Sequence, residues 1–159
     1  MHQFNKYLQQ KQVEIGKSIR NHKIIYLDTN YWIKLRNQAK KENSEDRVLF
    51  DKLTDLVESN RCIIPVSEIT FYEILKQSDI NSLKDSANLI DNLSKGISII
   101  SESERRHLEF VNFVREKTGG TMLNLQEAVW TKLSLNILYK VFLKYDSNML
   151  SNEFIDFLS

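Results

Sequence analysis

A chain of 159 residues, 42% hydrophobic and 27% charged, has the size and balance of an ordinary globular protein with one sizeable core. Its 22 Lys+Arg against 21 Asp+Glu give a formal charge of +1, which excludes a global field for nucleic acid and leaves any such binding to a local patch. The single cysteine, Cys62, excludes an intramolecular disulfide and argues against a cysteine-based zinc site.

In chain order, residues 1–22 read as a polar N-terminal extension without an apolar stretch of signal-peptide length, and residues 23–159 as a single domain. No run reaches the length of a membrane-spanning helix, so a cytoplasmic protein without membrane attachment is expected. Ile24 to Leu27 predict a first, buried strand that delivers Asp28 to its end, and a helix is predicted from about Tyr31, burying Trp32 and Leu35. Ser44, followed by Glu45 and Asp46, suits the start of a helix with Leu49, Leu53, Leu56 and Val57 on one face. Arg61 to Val66 predict a second strand, with Pro65 marking its terminus or an edge.

Ser67 is placed to cap a helix carrying Ile69, Tyr72, Glu73 and Lys76. A helix over about 80–93 presents Leu83, Ala87 and Ile90 on one face, and Gly96 ends it. Ile97 to Ile100 predict a third strand, and Ser101 with Glu104 forms a capping box for a helix to about Lys117. After Gly119-Gly120, Asn124 starts a helical pattern to about Tyr139, and Val141 to Tyr145 read as a fourth strand or as more helix. Strands alternating with helices argue for an α/β fold with a parallel sheet.

The candidate chemistry is carried by carboxylates. Asp28 sits where a strand ends, the place where open α/β folds bind ligands. Burying a carboxylate there is costly without a cation against it. Asp28 could equally cap the next helix, although Thr29 and Asn30 also suit that position. Glu73 lies on the second turn of a helix that follows a strand, sharing a face with Thr70; it either approaches a cation or lies in a solvated stripe with Lys76 and Gln77.

The segment Ile24-Ile25-Tyr26-Leu27-Asp28-Thr29-Asn30-Tyr31-Trp32, together with Val66-Ser67-Glu68-Ile69-Thr70-Phe71-Tyr72-Glu73-Ile74-Leu75, resembles the first two motifs of the PIN-domain nuclease superfamily. The resemblance covers residues 24–76. It implies a three-layer α/β/α sandwich around a mostly parallel sheet, helix-rich here, and carboxylate-held Mg²⁺ or Mn²⁺ for hydrolysis of RNA. It maps Asp28 and Glu73 to the first two acidic positions, with Asn30, Ser67 and Thr70 as supporting polar residues. Glu127 and Asp146 are the candidates for the third and fourth positions, so that Asp28, Glu73, Glu127 and Asp146 form the catalytic set and Asp28, Glu73 and Asp146 the metal ligands.

Both late positions depart from the pattern or have structural alternatives. The third position in the family is an aspartate, Glu127 can close a capping box with Asn124, and Asp146 can cap a last helix. A chain that carries only the front part of a longer PIN-like protein is the alternative.

An oxygen-only ligand set suits Mg²⁺ or Mn²⁺ rather than zinc. Lys34, Arg36, Lys40 and Lys41, and Arg105-Arg106-His107, are the candidate phosphate contacts, and Tyr31 and Trp32 the candidates for stacking a base. Neither a glycine-rich phosphate loop, nor a Gly-x-Ser-x-Gly elbow, nor a His/Cys metal spacing competes. The resemblance further implies an RNA substrate, an antitoxin-type protein inhibitor and a homodimer as partners. The competing reading is an inactive PIN-like domain that serves as a protein or nucleic-acid interaction module.

Overall fold

The computed structural model describes residues 2–41 and 47–137, with side chains from residue 7 onward. The elements follow in the order α1 (His2–Ile19), β1 (Lys23–Ile24), α2 (Thr29–Ala39), α3 (Val48–Glu58), β2 (Cys62–Ile63), β3 (Val66–Ser67), α4 (Glu68–Leu75), α5 (Ile80–Ser94), β4 (Ile97–Ile99), α6 (Glu102–Thr118), α7 (Leu125–Ala128) and β5 (Trp130–Lys132). A further helical stretch covers residues 133–137. The chain is α/β with short strands. Contacts divide it into two compact units, one of Asn21–Ile97 and one of Met1–Arg20 with Ser98–Ser159.

In the Asn21–Ile97 unit, β1 and β2 pair in parallel, with Lys23 opposite Cys62 and Ile24 opposite Ile63. A parallel pair needs a crossover, and α2 and α3 supply it. The first strand is shorter than its apolar sequence predicts, and it is not buried. Both of its residues are exposed, because among the described residues β1 pairs with β2 alone and keeps an open edge.

The second predicted strand is divided by Ile64-Pro65 into β2 and β3. Proline cannot donate to a ladder, so the break falls where the ring sits. Ile64 N–H instead donates to Leu93 O at 3.3 Å.

Helix α2 packs against α3, α4 and α5, turning Trp32, Leu35, Arg36 and Gln38 inward. Buried Arg36 keeps its guanidinium satisfied with Asn37 Oδ1, Gln77 Oε1, Ser82 O and Ser86 Oγ. This also explains why the inward face of α5 is rotated from the predicted Leu83, Ala87, Ile90 stripe to Ser86, Leu89, Ile90 and Leu93. Ser86 can face inward because its hydroxyl meets Arg36 and donates to Ser82 O at 2.8 Å. Cys62 is buried, and that burial pushes its thiol up from its ordinary value, as suits an inert core sulfur.

The N-cap of α5 is Asp79, which accepts from Ser82 N–H at 2.7 Å. The Ser82 side-chain and backbone hydrogen bonds hold its carboxyl below the ordinary aspartate value. A lowered folded-state value contributes stability above the unfolded value of about 3.9, and that contribution disappears as pH falls through the lower folded value. Asp79→Asn should therefore flatten the acid limb of a stability-versus-pH curve, its charge-dependent contribution being lost at pH 7 and little changed at pH 3. A denaturant titration at pH 3 and 7 checks this.

In the other unit, α1 packs on α7 and β5, and β4 pairs with β5. Ile100, Leu108 and Ala128 form a core flanked by Leu123, Leu125 and Val129. The predicted capping box is present: Ser101 accepts from Glu104 N–H while Glu104 takes the Ser101 backbone N–H. Helix α6 ends at Gly119, whose φ of 72° is the left-handed cap that glycine adopts freely. Buried Asn112 then ties the returning loop back by pairing with both N–H and C=O of Leu123, at 2.9 and 2.8 Å.

The helix predicted from Asn124 to Tyr139 is instead a single turn, α7, followed by the strand β5. The candidate cap residues Ser44 to Asp46 and the fourth predicted strand lie outside the described residues.

Close approach of α1 to α7 depends on Gly16. A Cβ there would collide with the Cα, carbonyl carbon and carbonyl oxygen of Glu127, all backbone atoms that cannot swing aside. Overpacking of this kind costs about 1–3 kcal/mol, against up to about 1 kcal/mol regained by replacing a helical glycine with alanine. Gly16→Ala should thus destabilise despite its better helix propensity, and Gly16→Val should do so more strongly, both read as a lower denaturation midpoint.

Candidate functional site

The C-terminal end of the β1–β2 pair brings two helix starts together. Asp28 is the N-cap of α2, its Oδ1 accepting from Tyr31 N–H at 3.0 Å. Ser67 is the N-cap of α4, its Oγ accepting from Thr70 N–H at 3.2 Å. The sequence offered Thr29 and Asn30 as alternative caps for α2. Aspartate takes the position because its backbone is extended there (φ −76°, ψ 170°), while Thr29 is already helical.

The two junctions are joined by hydroxyls. Thr29 Oγ1 donates to Glu73 Oε2 across 44 residues of sequence. This places the second acidic residue beside the residue that follows the first. Tyr26 donates its hydroxyl to Ser67 Oγ at 2.9 Å and lies 3.4 Å from Thr70 Oγ1, and Ser67 Oγ donates to Thr70 Oγ1 at 3.0 Å. Thr70 is buried, so its hydroxyl belongs to the floor of this cluster. Asp28 and Glu73 are exposed. The burial cost that would demand a cation beside Asp28 therefore does not arise; the carboxylates are instead oriented by hydrogen bonds and open to solvent.

Each carboxylate uses one oxygen in these bonds. Among the described residues, Asp28 Oδ2 and Glu73 Oε1 take no hydrogen bond, and neither side chain pairs with a Lys, Arg or His. Two carboxylates with free oxygens, plus water and a substrate phosphate, are a donor set that fits Mg²⁺ or Mn²⁺. Among the described residues, no three His, Cys, Asp or Glu side chains gather as a metal-holding group.

Glu127 lies in the other unit, on α7, and its nearly buried carboxylate is 4.0 Å from Arg20 Nη1. Asn124 caps α7 by accepting from Gln126 N–H at 3.1 Å, with the Glu127 carboxylate directed to Arg20. Asp146 lies outside the described residues.

The candidate cations sort themselves by partner. Arg36 is turned inward, and Lys40 pairs with Asp85 at 2.6 Å. Arg105 and Arg106 form pairs one turn apart with Glu109 and Glu102 at 2.9 and 3.7 Å along α6. Lys34 and Lys41 line a hollow of about 310 Å³ with Asn30, Asn37 and Gln38. Asn30 thus belongs to the outer face of α2 rather than to the hydroxyl cluster. Trp32 is core, at 2% exposure, while Tyr31 is half exposed.

No protein-family model, curated protein or solved structure matches this chain. Among the described residues, no helix is long and apolar enough to cross a membrane.

Two residues at this site escape sequence reading. Thr29 looks like an alternative cap, and nothing in its neighbourhood foretells a partner 44 positions away. Tyr26 alternates with Ile24 on one side of the extended segment, so a polar-tipped aromatic two residues before Asp28 is the signal that could have drawn attention to it.

Proposed function

We propose that this chain is a PIN-like, Mg²⁺- or Mn²⁺-dependent endoribonuclease, hydrolysing the phosphodiester bonds of RNA at the end of the β1–β2 pair. The observation that carries the proposal is the Thr29–Glu73 hydrogen bond, which sets the second acidic residue beside Thr29, the neighbour of Asp28 at the start of α2. The PIN-like reading includes a three-layer α/β/α arrangement and a role as a toxin or an RNA-processing nuclease, with an antitoxin-type inhibitor in the former case.

In this reading Asp28 and Glu73 would hold the divalent ion through the carboxylate oxygens left without hydrogen bonds. When bound, such an ion acidifies a water and offsets charge on the phosphate. The chain's own contribution is orientation. Tyr31 N–H fixes the Asp28 carboxylate and Thr29 Oγ1 fixes that of Glu73, so little rearrangement is needed when substrate arrives. Ser67 and Thr70 act one step back, holding the start of α4 from which Glu73 projects.

One observation favours a second reading, an inactive domain that binds protein or nucleic acid. Asp28 already has a structural task as the cap of α2, and no third carboxylate joins the pair among the described residues. Cleavage of single-stranded RNA with added Mn²⁺, comparing the native chain with Asp28→Asn, separates the two readings. Metal-dependent cleavage lost in the variant supports the nuclease; equal cleavage in both counts against a site built on Asp28, and none in either with Mg²⁺ or Mn²⁺ supports the binding module.

A further inference from the structure

We propose that Tyr26 is the stacking face for an unpaired base of the RNA substrate, a specificity element next to the carboxylate pair. This rests on the nucleic-acid reading above and assigns it a single-stranded substrate. Three observations lead to it. The Tyr26 side chain is 53% exposed although most of its surface is apolar. Its hydroxyl is held by Ser67 and Thr70, at 2.9 and 3.4 Å, so the ring is fixed rather than free to swing. It precedes Asp28 by two residues, and its anchors lie in the first turn of the helix that carries Glu73.

Here the polar end is turned into the protein and the aromatic surface is left in water. A nucleobase has the flat π face that covers such a ring, and stacking of this kind is tolerant of sequence. Because the ring is already positioned, binding loses little side-chain entropy. Bases within a duplex are stacked on one another and unavailable, so the occupant is an unpaired nucleotide. Ile24, two residues earlier and 40% exposed, lies on the same side of the extended segment and lengthens the apolar surface.

The test uses the full chain in EDTA, so that no cleavage occurs, and fluorescence anisotropy with a fluorescein-labelled adenine octaribonucleotide. The probes for comparison are an abasic ribose-phosphate octamer and a fully paired duplex. Native protein should bind the single strand about tenfold more tightly than the abasic octamer, by the usual worth of one stacked base. Tyr26→Leu should lose that advantage and leave abasic binding unchanged, while Tyr26→Phe should retain it.

Loss of adenine binding in Tyr26→Phe equal to that in Tyr26→Leu would assign Tyr26 to a purely structural hydroxyl role and overturn the proposal. Equal binding of native protein to the based and abasic strands, tighter binding to the duplex, or no binding to any probe would overturn it too. Should Tyr26→Leu fail to fold, photo-crosslinking of native protein to a 5-iodouridine octamer decides the matter: label on Tyr26 supports it, label elsewhere overturns it.

The outcome is separable from that of the nuclease. Base-dependent binding through Tyr26 without metal-dependent cleavage would remove the nuclease reading alone. Asp28-dependent cleavage with unchanged KM and unchanged binding in Tyr26→Leu would remove this inference alone.

Discussion

Asp28→Asn should lower metal-dependent cleavage of single-stranded RNA by at least about a hundredfold, since even groups one step removed from a metal cost 10–100-fold when replaced. The same variant should leave thermal stability nearly unchanged. Asparagine ranks with aspartate as an N-cap, so its amide oxygen can still accept from Tyr31 N–H and start α2 correctly. Only the charge is removed. Asp28→Ala removes both charge and cap, and should add a stability loss of about 1 kcal/mol to the same loss of cleavage.

Glu73→Gln is the companion variant. Its amide oxygen can still accept from Thr29 Oγ1, so the link between the two junctions survives while the second charge is lost. Cleavage assays with Mn²⁺ and Mg²⁺, paired with thermal melts, read the two effects separately. Full cleavage in Asp28→Asn, with only Asp28→Ala impaired, would reduce Asp28 to a helix cap and remove it from the metal site.

What could be read from the sequence is what local chemistry determines. Ser67, the Ser101–Glu104 box, Asn124 and Gly119 all mark helix ends where the backbone shows them, because a cap is decided within four residues. The position of Asp28 at a helix start, and of Glu73 within the helix that Ser67 caps, is legible for the same reason. Strand lengths are not. Ile24 to Leu27 has the apolar run of an interior strand, but β1 has a single neighbour among the described residues, and the availability of a second is a tertiary matter.

Trp130-Thr131-Lys132 reads as helix in the sequence because a three-residue strand between helical segments is too short to show a period of two. Its pairing with β4, more than 30 residues earlier, makes it a strand. The bond from Thr29 to Glu73, and the contact that makes Gly16 indispensable, are likewise products of long-range packing that leave no local trace.

Trp32→Ala should be among the most destabilising single substitutions in the Asn21–Ile97 unit, costing about 3–5 kcal/mol. The side chain is 2% exposed and sits one turn beyond Asp28, whose backbone carbonyl accepts its N–H at 3.2 Å. Against a total stability of about 5–15 kcal/mol, that loss brings the unit close to unfolding. It would also loosen the helix that presents Asp28, Thr29 and Lys34.

Trp32→Phe should behave very differently. The indole Nε1–H is buried and has no hydrogen-bond partner among the described residues. An unmet buried donor costs about 1–3 kcal/mol, so removing it offsets much of the packing lost with the smaller ring. The net change should lie within about 1 kcal/mol. Urea denaturation followed by circular dichroism measures both variants on one scale. A phenylalanine variant as unstable as the alanine one would mean that the whole indole shape, rather than apolar bulk, holds α2 against its neighbours.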